Sequence, residues 1–268
     1  MGTDHYIYRN DGRIYLRKVG GGEPVVFLHA VGLSGWAWDG VIDRFAQQYA
    51  CYNIDLPGHD RSDIPLTKYS MDDYVDAIVD VMDATGLQRT SIVADHTGAI
   101  LSLILAGRHP ERVNRMVLDG LPYWNKEIGL LVWEKFFLPK FTDAASYHIP
   151  VRPQWGWEDW QVDHPGLDET VYYKMKEIHE RGRLWIRLSQ EANSSCDVEE
   201  EAEKVRTPAL LIYGETDMLL RGAERARDKI KDSGLHIVEG SAGTVHQQRP
   251  EEFVKLAMAF LSGTEAMA

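Results

Sequence analysis

The segment Ser91-Ile92-Val93-Ala94-Asp95-His96-Thr97-Gly98-Ala99-Ile100 constrains the fold of this chain more than any other. It reads as a short apolar strand, a sharp turn and the start of a helix. The small residues Ala94 and Gly98 stand two positions either side of His96. A turn this tight puts its central side chain at the apex and leaves little room for bulk at the flanking positions. Most turns of this spacing present Ser, Cys or Asp there; this one presents an imidazole. The backbone of an apex tends towards positive φ, where His is among the enriched residue types. A shifted register with Asp95 at the apex is disfavoured, because Val93 and Thr97 would then occupy the small positions and both are β-branched. Asp95 is instead expected to be solvated or hydrogen-bonded beside the turn.

The rest of the chain supplies a setting for that turn. Ile14 to Val19, Pro24 to Leu28, Ala50 to Asp55, Arg115 to Asp119, Ala209 to Tyr213 and Leu235 to Glu239 read as strands, several of them continuous apolar runs suited to burial on both faces. Between them, Trp38 to Tyr49, Thr97 to Arg108, Arg221 to Ile230 and Glu251 to Leu261 have helical spacing. Another helix opens at Ser70-Met71-Asp72-Asp73, with Ser70 as N-cap and Asp73 in capping-box position, and stops at Gly86. Gly20-Gly21-Gly22 reads as a hairpin-like turn. Alternation of this kind predicts an α/β fold with a mostly parallel central sheet flanked by helices.

Between Leu121 and about Arg206 the alternation lapses. Six of the eight tryptophans fall here: Trp124, Trp133, Trp155, Trp157, Trp160 and Trp185. The stretch reads as a helical lid, residues 122–206, inserted into a core made of residues 1–121 and 207–268. Its aromatics either pack the lid's own small core or line an apolar substrate pocket.

Composition narrows the partners. A formal charge of −12 argues against nucleic acid and anionic membrane surfaces. No apolar run approaches the roughly 20 residues of a membrane span. The two cysteines, Cys51 and Cys196, are far apart in sequence and point to unpaired thiols. The N-terminus lacks the layout of a signal peptide, so the expectation is a cytoplasmic protein with a small-molecule substrate. No HExxH, HxH or CxxC spacing and no phosphate-cradling glycine loop occurs, so neither a metal nor a cofactor is expected.

Several landmarks coincide with a known pattern. His29-Ala30-Val31-Gly32 matches an oxyanion-loop motif, and Asp55-Leu56-Pro57-Gly58-His59 a strand-end turn. Ala94 to Gly98 matches a nucleophile elbow, followed after its helix by Arg108-His109-Pro110-Glu111-Arg112-Val113. Gly214-Glu215-Thr216-Asp217 matches an acid loop, and Arg249-Pro250-Glu251-Glu252-Phe253 a closing helix. Jointly these make the chain resemble the α/β-hydrolase fold superfamily over nearly its whole length. The tryptophan-bearing lid is similar to that of its esterase, lactonase, dehalogenase and epoxide-hydrolase branches.

The resemblance implies that Asp217 is the triad acid and that the backbone N–H groups of Val31 and Thr97 form the oxyanion hole. Two positions depart from the pattern. His96 holds the nucleophile position, and the place of the family's histidine, seven residues before Pro250, is Gly243. His246 follows three positions later, where a shifted loop would make it a candidate base. The two departures compensate, since a close-packed interior needs room for an added ring and leaves a void where one is lost. His96 is therefore expected to project towards Gly243, with its ring near Asp217.

Such a His96–Asp217 dyad with oxyanion donors is expected to serve as a general base on a small apolar carbonyl compound. The ring could activate water for ester or lactone hydrolysis, or abstract a proton in lyase, decarboxylase or isomerase chemistry. It could also attack an activated acyl group itself. The competing expectation is a non-catalytic, sensor-like ligand-binding protein. His29, Trp36, Trp38 and Trp124 are the candidate substrate-binding residues, with His29 also readable as a strut of the oxyanion loop and the tryptophans as packing residues.

Overall fold

The computed structural model describes residues 2–141, 156–163, 166–182 and 184–264. Eight strands form one sheet: β1 (Thr3–Arg9), β2 (Gly12–Gly20), β3 (Glu23–Leu28), β4 (Tyr49–Ile54), β5 (Thr90–Asp95), β6 (Val113–Asp119), β7 (Ala209–Gly214) and β8 (Ser233–Val238). Their order is β1-β2-β4-β3-β5-β6-β7-β8. From β4 to β8 every pairing is parallel, while β1 on β2 and β2 on β4 are antiparallel.

The central strands are apolar because both of their faces are covered. Val25 to Leu28, Ile92 to Ala94 and Met116 to Leu118 are all buried. One face packs under α2 (Met71–Ala84) and α3 (Thr97–Arg108), the other under α1 (Ile42–Phe45) and α12 (Pro250–Ser262), which follows α10 (Ala223–Lys229) and α11 (Val245–Gln248) in the chain. Helix α3 buries every residue from Thr97 to Ala106, so its apolar run is the mark of a helix enclosed on all sides. Helix α2 starts with the expected capping box between Ser70 and Asp73.

Two expectations needed revision. Gly20 to Gly22 do not turn a hairpin, since β2 and β3 both pair with β4 and lie either side of it. The hairpin lies earlier, where Asn10 and Asp11 link β1 to β2, with Arg9 opposite Gly12. Strand β1 had no clear signal because it is an exposed edge with no buried side chain. The Trp38 to Tyr49 stretch is also broken, into a 3₁₀ turn at Gly35–Trp38 and the single turn α1.

Between β6 and β7 the described residues contain no strand. They form α4 (Lys126–Val132), a π turn (Trp133–Phe137), α5 (Leu138–Phe141), α6 (Trp157–Asp163), α7 (Glu169–Gly182), α8 (Leu184–Ser194) and α9 (Val198–Lys204). Trp155 lies outside the described residues. Trp157 and Trp160 stack at 5.6 Å and pack on Tyr172, giving these helices a small core of their own. Trp185 joins them to the sheet: its indole N–H donates to the Pro57 carbonyl at 3.1 Å and the Tyr74 hydroxyl at 2.9 Å. Gly58 permits this, because its φ is +80° and a Cβ there would lie 1.8 Å from the Trp185 ring. No helix among the described residues is long and apolar enough to cross a membrane.

Candidate active site

His96 sits between β5 and α3 with φ 44° and ψ −102°. A non-glycine residue held there costs on the order of 1–3 kcal/mol, which the surrounding structure must supply. Its N–H donates to the Asp119 carbonyl at 3.0 Å, and its carbonyl accepts from Ile100 N–H at 3.2 Å. Gly98 lets α3 approach β3, since a Cβ at that position would lie 2.3 Å from the Leu28 carbonyl oxygen. The small residue after the apex is thus a steric requirement.

The ring is a quarter exposed and faces carboxylates. Its Nδ1 is hydrogen-bonded to Oδ1 of Asp95, the residue before it, which is fully buried. It makes no hydrogen bond to Asp217, but the two approach closely. A Cβ built on Gly120 would lie 3.2 Å from Nε2 of His96 and 3.3 Å from Oδ2 of Asp217. A Cβ on Gly243 would lie 3.7 Å from both Cε1 of His96 and Cγ of Asp217. The imidazole therefore lies beside Gly243 and Asp217 as expected, while its hydrogen-bonded carboxylate is Asp95.

Asp217 Oδ1 accepts the Leu219 N–H at 2.8 Å. Its Oδ2 is buried without a partner among the described residues. Burial raises the Asp217 carboxyl above its ordinary range; His96 and the Leu219 N–H pull the other way, and the negative charges of Asp119 and Asp95 add to the rise. Burial alone would lower the His96 ring, but the charge and hydrogen bond of Asp95, with the charges of Asp217 and Asp119, lift it to about 9. Asp95 is held below its usual value despite its burial, by the facing His96 ring. These directions describe an imidazolium–carboxylate pair at neutral pH. Nearby carboxylates, Asp95 first among them, favour the charged ring, while burial and the positive end of α3 oppose it.

A second imidazole–carboxylate pair lies beneath the turn. His246 Nδ1 is 2.7 Å from Asp119 Oδ2, and Asp119 also accepts the backbone N–H groups of Val245 and His246. His246 is 1% exposed and packs on Trp38 with ring centroids 4.2 Å apart. Asp95, Asp119 and His246 bring polar atoms within 4.8 Å of one another, all of them buried. His246, a candidate base from its place in the loop, is thus enclosed in the core and paired with Asp119.

Two other candidates move for similar reasons. His29 is fully buried with Nδ1 on the Ala30 carbonyl at 2.8 Å and Nε2 accepting the Leu56 N–H at 2.9 Å. Both nitrogens are engaged by backbone, and burial lowers the ring to about 4, so His29 is the strut of its loop and not a substrate contact. Trp38 is fully buried between Phe27, His246 and Phe253 on the α12 face of the sheet.

The loop after β3 faces the apex. Val31 N–H donates to Thr97 Oγ1 at 3.3 Å, which brings the two residues together and engages that N–H with a side chain. The helices between β6 and β7 cover that loop: Trp133 and Ile186 pack with Val31, and Met175 packs with Ala30, Leu33 and Ala37. His179 of α7 is 5% exposed, and its Nε2 lies 2.1 Å from where a Cβ on Gly32 would be. Sequence reading did not single out His179; its helical spacing carried no signal of a partner across the fold.

A family profile described as alpha/beta hydrolase fold matches residues 23–243, most of the chain. The chain belongs to the alpha/beta hydrolase fold family. The matched span contains β3 to β8 with His96 and Asp217, and ends before His246. One relative, the pimeloyl-[acyl-carrier protein] methyl ester esterase of Nitrosomonas europaea, is 32% identical over 217 residues, covering 77% of this chain and 82% of that protein. The 2-hydroxy-6-oxo-2,4-heptadienoate hydrolase of Pseudomonas putida is 26% identical over 265 residues, 93% of each. Among solved structures, the enol-lactonase of Burkholderia xenovorans superposes with a TM-score of 0.74 at 18% identity, over 96% of this chain and all of that one.

Within this hydrolase fold the two remaining tryptophans are placed as follows. Trp36 is half-buried on the turn after the β3 loop, its N–H donating to Ser34 Oγ at 3.3 Å. Trp124 is 7% exposed in the main core, and its carbonyl accepts the N–H groups of Val198 and Glu199 at the start of α9. Trp124 therefore anchors the chain leaving β6. Among the described residues, Trp133 and Phe137 are aromatics that share a cluster with Val31 of the covered loop.

Proposed function

We propose that this chain hydrolyses small, apolar carbonyl compounds, esters or lactones, by direct attack of water, with His96 and Asp217 carrying the proton transfers. The observation that carries the reading is the imidazole at the strained apex, with Nε2 and the unpartnered Oδ2 of Asp217 facing the same point beside Gly120. No hydroxyl or thiol stands at that apex, so a side-chain acyl ester is not required.

In this reading the Val31 N–H exchanges Thr97 Oγ1 for the substrate oxygen on which charge develops, which the Thr97 N–H also holds, each such donor being worth roughly 3 kcal/mol. The covering helices act as a lid, and Trp133, Ile186 and Val31 give an apolar wall for the acyl part. Relatives named as an esterase, a dienoate hydrolase and an enol-lactonase support a carbonyl carbon as the point of attack.

The test is turnover of 4-nitrophenyl acetate, dihydrocoumarin and an enol lactone by the full chain and by His96→Ala. The reading expects hydrolysis that falls by about 10²-fold or more in the variant, the scale of a lost proton-transfer group. Binding of such compounds without turnover, unchanged in His96→Ala, would favour a ligand-binding protein instead.

A further inference from the structure

We propose that Asp217 is the base, its Oδ2 taking the proton from a water seated against His96 Nε2, and that the ring returns a proton to the leaving group. This rests on the hydrolase reading above and specifies it.

Three placements support it. His96 Nδ1 is engaged by Asp95, so Nε2 is the ring atom left for substrate or water. Asp217 Oδ1 is engaged by the Leu219 N–H, so Oδ2 is the carboxylate oxygen left, buried and without a partner among the described residues. Both atoms border Gly120: a Cβ on that residue would lie 3.2 Å from Nε2 and 3.3 Å from Oδ2. An unpaired buried carboxylate oxygen is costly, and a water bridging donor and acceptor removes that cost.

The charges set the direction of transfer. The ring, faced by Asp95, Asp217 and Asp119, is the group that holds a proton at neutral pH. Asp217, faced by His96, Asp119 and Asp95, is raised by burial and is a stronger base than a solvated carboxylate. Tyr213, on the strand preceding it, donates its hydroxyl to the Leu121 carbonyl and so offers Asp217 no hydrogen bond.

The steps balance. The water oxygen bonds to the carbonyl carbon as its proton moves to Oδ2, and the carbonyl π pair moves onto the oxygen facing Val31 and Thr97. The tetrahedral species collapses, the bond to the leaving oxygen breaks, and that oxygen takes the proton from Nε2. The proton on Oδ2 then passes to Nε2, restoring carboxylate and imidazolium.

The experiment measures kcat/KM for 4-nitrophenyl acetate and dihydrocoumarin between pH 5 and 10 in wild type, His96→Ala, Asp217→Asn and Asp217→Ala. Asn keeps the acceptor for Leu219 N–H, and thermal unfolding of each variant checks that it folds. Wild type is expected to show an ascending limb above the ordinary carboxylate value of 3.8 and a descending limb near 9. Asp217→Asn should lose about 10²-fold or more together with its ascending limb. Added formate should restore part of the activity of Asp217→Ala, which a merely structural role would not allow. Asp217→Asn close to wild type, or an even loss with both limbs intact and no formate rescue, overturns this assignment. If His96→Ala is inactive in that case, the hydrolase reading stands alone; no turnover by wild type overturns both.

Discussion

The turn puts His96 where nearby carboxylates raise its ring above the ordinary imidazole value. Its ring leaves solvent for a corner bounded by Asp95, Asp217 and Asp119, and the pair with Asp95 holds the proton to about 9. A folded value raised above the ordinary 6.5 means stability that is fully present below about pH 6.5 and lost as pH rises through 9. The shift corresponds to about 3 kcal/mol. Wild type should therefore lose its stability advantage over His96→Gln between pH 6.5 and 9.5, read as converging urea midpoints. A gap that stays constant with pH would show that the ring is not charged in the folded state. The place of this residue was legible in the sequence from the spacing of Ala94 and Gly98, and its neighbour Asp217 from the loop after β7. Its hydrogen-bond partner was not, because the choice between Asp95 and Asp217 depends on the ring's rotation, which no spacing encodes.

At the scale of elements, Trp185 ties the helices between β6 and β7 to the loop after β4 and to α2. Its indole fills the space over Gly58 and donates to both Pro57 and Tyr74. Tyr74 is in turn hydrogen-bonded to Ser189 of α8 at 2.6 Å. Trp185→Ala is expected to cost about 3 kcal/mol or more, the range for removing a buried aromatic. It should also speed amide exchange in α7 and α8 over that of β5 and β6, since local opening follows the loss of tertiary contacts. Uniform acceleration across the sheet would contradict a local role. The helical character of this region was readable from its lapse in strand pattern. The separate fates of its tryptophans were not: Trp124 and Trp185 anchor the core, Trp157 and Trp160 pack together, and Trp133 reaches Val31. Composition is alike in all of them, and only topology separates them. The same holds for Trp38, a candidate from its place after the β3 loop, and His246, a candidate from its place three residues past Gly243, both of which the fold puts on the α12 face.

Across the whole molecule, the residues of the site come from the carboxyl ends of parallel strands: Val31 after β3, His96 after β5, Asp119 at the end of β6 and Asp217 after β7. Ligands in open α/β sheets bind there, so the alternation visible in the sequence already located the site before any side chain was placed. What alternation does not give is charge balance, which requires the strand ends to be counted together. Three carboxylates meet two imidazoles in this corner, with no lysine or arginine among the groups that shift His96 or Asp217. The most direct test of the account is ¹⁵N NMR of the His96 ring in the full chain across pH 5 to 11, with Asp95→Asn and Asp217→Asn alongside. The account predicts an imidazolium at pH 7 that titrates near 9, with a lower midpoint in each variant. A ring already neutral at pH 7, or a midpoint indifferent to both substitutions, would contradict it.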